Sequence, residues 1–313
     1  MLMTSVILAL GVASSVLCQQ EGPKVSGVLE YYFRALQNGG HLRTDQRAEW
    51  LNIKVQLRPE LRLVGGTVKI GNRARILDES YLEWGQGHTL WRMGRFRSAF
   101  GHSDWSARYY DGFVRLPIMR TAPLAGYSRI FLLTRLDAGL DLRTSTSNAE
   151  YSIGCIDAST SSYQIMPQTI DHVVARIQTD WNSLLIGVNA LAGLRSPAGQ
   201  HTRLFLLDGI WSVPQWQMIA EIMTGEALGG RASGYHLDIF WHPVQTPRTT
   251  FHVRTEWLKL DSMPTEASLH TAGIKHFLTP NLVLSVGYSW GNESPITRGN
   301  RGWYAQLLTL IYF

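Results

Sequence analysis

The chain holds two cysteines in 313 residues. One of them, Cys18, lies in an N-terminal apolar segment that reads as removable, which leaves Cys155 alone in the remaining chain. A single cysteine excludes an internal disulfide and any cysteine-based metal site. Long apolar runs are also missing. Beyond the N-terminus none approaches the ~18 residues of a transmembrane helix, so a helical membrane protein is excluded. Lysine is scarce, five of 29 basic residues, the rest being Arg. The arginines are dispersed, with no basic cluster or recognition motif, and nucleic acid is excluded as a partner. There is no low-complexity segment, heptad, fixed-period repeat or interdomain linker. There is also no Gly-x-Ser-x-Gly elbow and no His-Glu-x-x-His helix. No catalytic residue, metal ligand or cofactor is therefore predicted.

What is abundant is aromatic: 11% of residues, including 11 Trp, in a chain whose mean hydropathy is only −0.07. That combination fits strands apolar on one face and polar on the other. Alternation runs through the chain. Leu51, Ile53, Val55 and Leu57 alternate with Asn52, Lys54, Gln56 and Arg58. Tyr235, Leu237, Ile239 and Trp241 alternate with His236, Asp238, Phe240 and His242, and Phe251, Val253, Thr255 and Trp257 with His252, Arg254 and Glu256. Leu282, Leu284, Val286, Tyr288 and Trp290 do the same against Ser285 and Ser289. Period two means extended strands, and each stretch is about ten residues, the length of a tilted membrane-crossing strand. Polar faces bearing Arg, Glu, Asp and His suit a water-filled interior rather than a dry core.

The predicted architecture is all-β, a single antiparallel transmembrane barrel of about sixteen strands. They lie at 25–34, 48–58, 60–70, 73–84, 88–97, 136–143, 149–157, 169–179, 183–193, 202–212, 215–225, 234–242, 248–259, 267–278, 281–290 and 303–313. Extra strands at 108–116 and 128–133 would make eighteen. An even count puts both ends of the chain on the periplasmic side. The connections then divide into short turns there (Pro59, 85–87, 144–148, 180–182, 213–214, 243–247, 279–280) and longer external loops (35–47, 98–135, 158–168, 194–201, 226–233, 260–266, 291–302). A bulge near Gly65–Gly66 or Leu77–Ser80 would flip the register by one residue.

Both termini extend this reading. Val6 to Ala13 is an apolar core too short to span a bilayer, followed by Val16 and Cys18 at spacings that suit signal-peptidase cleavage before Gln19. Residues 1–18 are thus expected to be a signal peptide and 19–313 the barrel. The final stretch Trp303–Phe313 has no charge, Gly or Pro, and Trp303, Ala305, Leu307, Ile311 and Phe313 share one face. It resembles the C-terminal signal by which bacterial outer-membrane barrels are recognised for assembly. That resemblance implies a closing strand paired with 25–34, with Leu307, Ile311 and Phe313 read by the barrel-assembly machinery.

Residues 78–101 carry a more specific likeness. Ser80-Tyr81-Leu82-Glu83-Trp84 and Gly94-Arg95-Phe96-Arg97-Ser98-Ala99-Phe100-Gly101 resemble an "AYLEW"-like strand and a "GQFKVPFG"-like segment of the phosphate-selective porin O and P family. Ala99 stands where that family usually has Pro, and its lysine ladder is not evident among Lys24, Lys54, Lys69, Lys259 and Lys275. The resemblance implies a porin in the outer membrane, in contact with lipid and lipopolysaccharide. By analogy with large porins it also implies a homotrimer that passes small hydrophilic solutes or anions. General porins fold the loop after their fifth strand into the barrel. Residues 98–127 are placed to do the same, offering Arg108, Asp111, Arg115 and Arg120.

Pore-lining candidates on the polar faces are Lys54, Arg62, Arg75, Arg92, Arg176 and Arg254, opposed by Glu83, Asp238 and Glu256. Unpaired, they would form basic rings that favour anions; paired with neighbouring carboxylates, they would only satisfy a polar interior. Trp84, Trp91, Trp105, Trp241, Trp257, Trp290 and Trp303 lie near strand ends, as interfacial girdles do. Two other classes remain open: an outer-membrane barrel enzyme, for which His236 with Asp238 or His252 with Glu256 would be the pair to test, and a surface carbohydrate-binding β protein using the Trp rings.

Overall fold

A computed structural model describes residues 24–36, 42–70, 76–102, 117–121, 136–157, 170–193, 202–227, 230–261, 266–292, 294, 297 and 301–312. The period-two segments form sixteen strands: β1 (Lys24–Leu36), β2 (Leu42–Arg58), β3 (Leu61–Ile70), β4 (Ile76–Gln86), β5 (Thr89–Arg97), β6 (Leu136–Ser145), β7 (Ala149–Asp157) and β8 (His172–Trp181). There follow β9 (Leu184–Gly193), β10 (Arg203–Val213), β11 (Trp216–Ala227), β12 (Gly230–Trp241), β13 (Thr249–Leu260), β14 (Ala267–Thr279), β15 (Leu282–Gly291) and β16 (Gly302–Tyr312). Each pairs antiparallel with its chain neighbours, and β1 closes on β16 from Ser26↔Tyr312 to Leu36↔Gly302. Closure satisfies every edge, which an open sheet in an apolar surround could not do. A single turn of helix, α1 (Ile118–Thr121), is the one helix among the described residues.

At one end every connection is short, from two residues (59–60, 87–88, 182–183, 214–215, 280–281) to seven (242–248). Turn chemistry accounts for two of them: Gly87 and Asn182 take φ of 60° and 57°, the left-handed geometry a two-residue hairpin needs. The expected asymmetry of connections holds, with two corrections. β2 begins at Leu42, inside the expected loop 35–47, and β11 and β12 run on until only 228–229 separates them. Arg231-Ala232-Ser233-Gly234 lacks apolar contrast, so its strand character comes from pairing with β11 rather than from its own pattern. The expected slip at Gly65–Gly66 is a β-bulge, Gly65 pairing with Ser80 and Thr67 with Leu77. The possible extra strands at 108–116 and 128–133, the segment 1–18 and Phe313 lie outside the described residues.

Two faces result. The outer face exposes Ile177, Val188, Phe205, Leu207 and Ile222 at 50–59%, an apolar surface far too continuous for water. Aromatic residues bound this band through cross-strand stacks. Trp84–Trp91 (5.7 Å), Trp216–Trp241 (6.1 Å) and Trp241–Phe251 (5.2 Å) lie at the short-turn end, and Tyr235–Trp257 (6.0 Å) and Tyr288–Trp303 (5.0 Å) at the other. On β12 the two belts are six residues apart, about 20 Å along the strand. The expected girdle Trps Trp84, Trp91, Trp241, Trp257, Trp290 and Trp303 all point outward; Trp105 lies outside the described residues.

Candidate functional site

The inner face is the polar one. Glu83, Arg92, Asp141, Arg176, Asn189, Asp208, Glu221, His236, Asp238, Arg254 and Glu256 all face inward and are all less than a tenth exposed. Every pore-lining candidate with a described side chain is on this face. Lys54 also lies there, exposed, because its register partner Val64 pairs onward with inward Tyr81. Arg75 lies outside the described residues.

Most of the cations are balanced, however. Arg254 donates to Asp238 through two nitrogens, Nε to Oδ1 at 2.6 Å and Nη2 to Oδ2 at 2.5 Å. Arg92 Nε donates to Asp141 Oδ2 at 2.9 Å, and Arg143 Nε reaches the same oxygen at 3.0 Å. Arg176 Nη2 donates to Asp208 Oδ1 at 2.9 Å, and Arg62 pairs with Glu83. Of the two arrangements expected for these cations, pairing is the one seen: register places a carboxylate directly opposite Arg62, Arg92 and Arg254, Asp208 reaches Arg176 from two strands away across Gly187, and a buried guanidinium without a carboxylate would be very costly. Lys54 and Arg62 differ from the rest in exposure; the Arg62 side chain is 38% accessible.

Sequence reasoning missed Asp141, Asp208, Asn189 and Glu221. Their inward parity on β6, β10, β9 and β11 was available; Asp141 serves Arg92 and Arg143, and only the position of the segment after β5 brings out what the other three do. That segment turns inward. Phe100 is 3% exposed, Gly101 takes φ of 78°, and its N–H donates to Asn189 Oδ1 at 2.9 Å. The His102 N–H donates to Glu221 Oε1 at 2.6 Å, and His102 Nε2 lies 2.8 Å from Asp208 Oδ1. The chain returns to the same wall at α1, where the Ile118 N–H donates to Glu256 Oε2 at 2.5 Å. The segment thus leaves β5 and meets β9, β10, β11 and β13 inside the barrel. Arg108, Asp111 and Arg115 lie outside the described residues, and Arg120 belongs to α1 without a described side chain.

The seat of this segment is apolar. Phe100, Ile118 and Met119 cluster with inward Phe96, Ile156, Val174, Leu204, Leu206, Met223, Leu258 and Leu269. These residues form an apolar belt toward the long-loop end, above the polar one; a wholly polar interior was expected. Gly94 explains part of the family-like stretch. With φ of 135°, it lies so close to β4 that a Cβ would stand 2.5 Å from the Ser80 carbonyl oxygen. That approach lets Tyr81 meet Phe96 edge-on at 6.4 Å, with the Arg92 guanidinium 4.8 Å from the Phe96 ring. Gly94, Phe96, Phe100 and Gly101 therefore launch the inward segment, a structural role for a stretch singled out by resemblance.

A closed sixteen-stranded antiparallel barrel with an apolar outside, a charged inside and an inward segment after the fifth strand has the fold of the outer-membrane porins. The solved structures it matches include porins and another outer-membrane protein. OmpF of Salmonella typhi, in complex with daunomycin, has a TM-score of 0.71 at 11% identity, over 93% of this chain and 97% of that one. The anion-selective porin of Comamonas acidovorans has a TM-score of 0.61 at 11% identity, over 93% and 98%. The trimer form of OmpT, an outer-membrane protein of Vibrio cholerae, has a TM-score of 0.64 at 9% identity, over 93% and 99%. No protein-family model and no curated protein matches the sequence, so the likeness is one of fold.

Proposed function

We propose that the chain is an outer-membrane channel through which small hydrophilic solutes diffuse passively, and that it is not an enzyme. The observation that carries this reading is the pairing of an exposed apolar outer wall with a charged inner wall in one closed barrel. The outer face and its aromatic belts fit a bilayer with lipopolysaccharide at the external rim. The terminal strand, ending in Leu307, Ile311 and Phe313, is the part offered to the barrel-assembly machinery. The trimeric form of the Vibrio cholerae relative in fold supports a homotrimer.

Residues 98–127 act as the constriction. Support comes from the hydrogen bonds of Gly101, His102 and Ile118 to the inner wall. Weak anion preference rests on Lys54, which is exposed, and on Arg62, which stays 38% accessible beside Glu83, whereas Arg92, Arg176 and Arg254 are buried against carboxylates. The stretch Gly94–Gly101 keeps phosphate among the solutes to test. Planar-bilayer recording in a salt gradient, with and without added phosphate, is the decisive assay. The expected result is a stable conductance with a reversal potential of anion sign, reduced in Lys54→Gln/Arg62→Gln. Cation preference in the parent would overturn the selectivity assignment, and absence of conductance would overturn the channel.

A further inference from the structure

The ion pairs of the inner wall do not all meet water in the same way. Between β8 and β13 both partners are hidden: the Arg176 and Asp208 side chains are 5% and 0% accessible, those of Arg254 and Asp238 4% and 1%. From β3 to β6 the carboxylates are hidden, but two of the three arginines are not. Arg62 is 38% accessible against 9% for Glu83, and Arg143 28% against 2% for Asp141. Water at these pairs meets guanidinium rather than carboxylate.

Arg143 is the cation in excess. Asp141 Oδ2 accepts from Arg92 through Nε at 2.9 Å and Nη2 at 2.5 Å, and from Arg143 through Nε at 3.0 Å. One carboxylate thus serves two guanidiniums. Arg92, the deeper one, takes it with two nitrogens, and Arg143 holds it with Nε alone. The N–H groups on Nη1 and Nη2 of Arg143 have no acceptor among the described residues. Asp141 therefore fixes the head of the side chain and leaves its outer donors unused, which lowers the ordering cost of a ligand that takes them. The neighbouring wall is low. Arg143 lies opposite Ser152 on β7, and Asp141 opposite Gly154. The next inward carboxylate toward the turn, Glu150, lies opposite Ser145 and forms no ion pair among the described residues.

We propose that Arg143 is a docking residue for oxyanions in the lumen, its two Nη groups receiving two oxygens of a phosphate, sulfate or carboxylate group. A planar guanidinium suits that bidentate contact, whereas chloride, a single sphere, gains less from the fork. The proposal deepens the channel reading and rests on it, but not on the anion preference assigned to Lys54 and Arg62.

The test is single-channel chloride conductance at constant ionic strength, with inorganic phosphate titrated in, for the parent, Arg143→Gln and Arg143→Lys. Phosphate should depress the parent current to a plateau. Arg143→Gln should raise the half-blocking concentration about threefold, the size of an exposed ion pair. Arg143→Lys keeps the charge without the fork and should recover only part of the difference. A parent current indifferent to phosphate overturns the proposal, as does an Arg143→Gln titration that matches the parent. Full recovery in Arg143→Lys overturns it too, because charge alone would then suffice. Arg143→Gln leaves Asp141 to Arg92 and is expected to assemble; if it does not, Arg143→Lys decides alone, weaker block supporting the proposal and parent-like block overturning it. A silent parent overturns the channel reading and this proposal with it, whereas a conducting parent whose phosphate block ignores Arg143 overturns this proposal only.

Discussion

Asp238 and Arg254 test the balanced interior most directly. They are register partners on β12 and β13, 1% and 3% exposed, joined through two nitrogens at 2.5 and 2.6 Å. Asp238→Asn leaves a buried guanidinium facing a neutral amide, and Arg254→Met leaves a buried carboxylate. Removing one member of such a pair costs about 3–5 kcal/mol, while replacing both by apolar groups of similar volume is close to neutral. Each single variant should therefore lose about that much stability, and Asp238→Leu/Arg254→Met far less than the sum of the two, a coupling well above the ~0.5 kcal/mol of independent sites. The assay is urea titration of the barrel in lipid vesicles, followed by tryptophan fluorescence and gel mobility. Selectivity supplies a second readout from the same variants. Asp238→Asn leaves a net positive charge inside and should shift the reversal potential toward anions, and Arg254→Met should shift it toward cations. Single variants within about 1 kcal/mol of the parent, with unmoved reversal potentials, would refute the claim that these arginines are neutralised by register.

Three further outcomes are expected. Glu256→Ala removes the acceptor of the Ile118 N–H, leaves a buried donor unsatisfied at about 1–3 kcal/mol, and should raise conductance and current noise as the inward segment loosens; quiet, parent-like currents would count against that anchor. Deletion of Phe313 should lower the amount of barrel assembled in the outer membrane while leaving the conductance of assembled channels unchanged, as measured by surface labelling and bilayer recording. At the external rim, the Trp257 indole N–H and Lys259 hold the Glu266 carboxyl below its ordinary value. A depressed carboxyl contributes stability that is complete above its unfolded value and is lost as pH falls through the lower folded one. Titration of Glu266 by carbon NMR should show this, and Trp257→Phe should return it toward the ordinary range.

The recovery of sixteen strands from sequence follows from the locality of the signal. Leu51 to Arg58 or Phe251 to Trp257 declare their two faces within one stretch, because a strand between lipid and a polar interior needs alternation at every step. Where the sequence is polar or small on both faces the signal fades. The first residues of β2 and the Arg231–Gly234 start of β12 read as loop, and only pairing makes them strand. Lys54, Arg62, Glu83, Arg92, Arg176, Asp238, Arg254 and Glu256 were legible as inward-facing for the same local reason.

What those side chains meet was not legible. Asp238 meets Arg254, and Asp208 meets Arg176 and His102, because antiparallel closure of β1 on β16 sets the register of every strand, and register depends on the whole cylinder. The apolar seat of Phe100, Ile118 and Met119 likewise draws on β5, β7, β8 and β10 to β14, residues up to 173 positions apart that no local pattern links (Phe96 to Leu269). The sequence by itself determined the number of strands to within two and which face of each is wet. Tertiary structure decided which charges cancel and where the inward segment rests, since both depend on the partner strand rather than on the neighbouring residue.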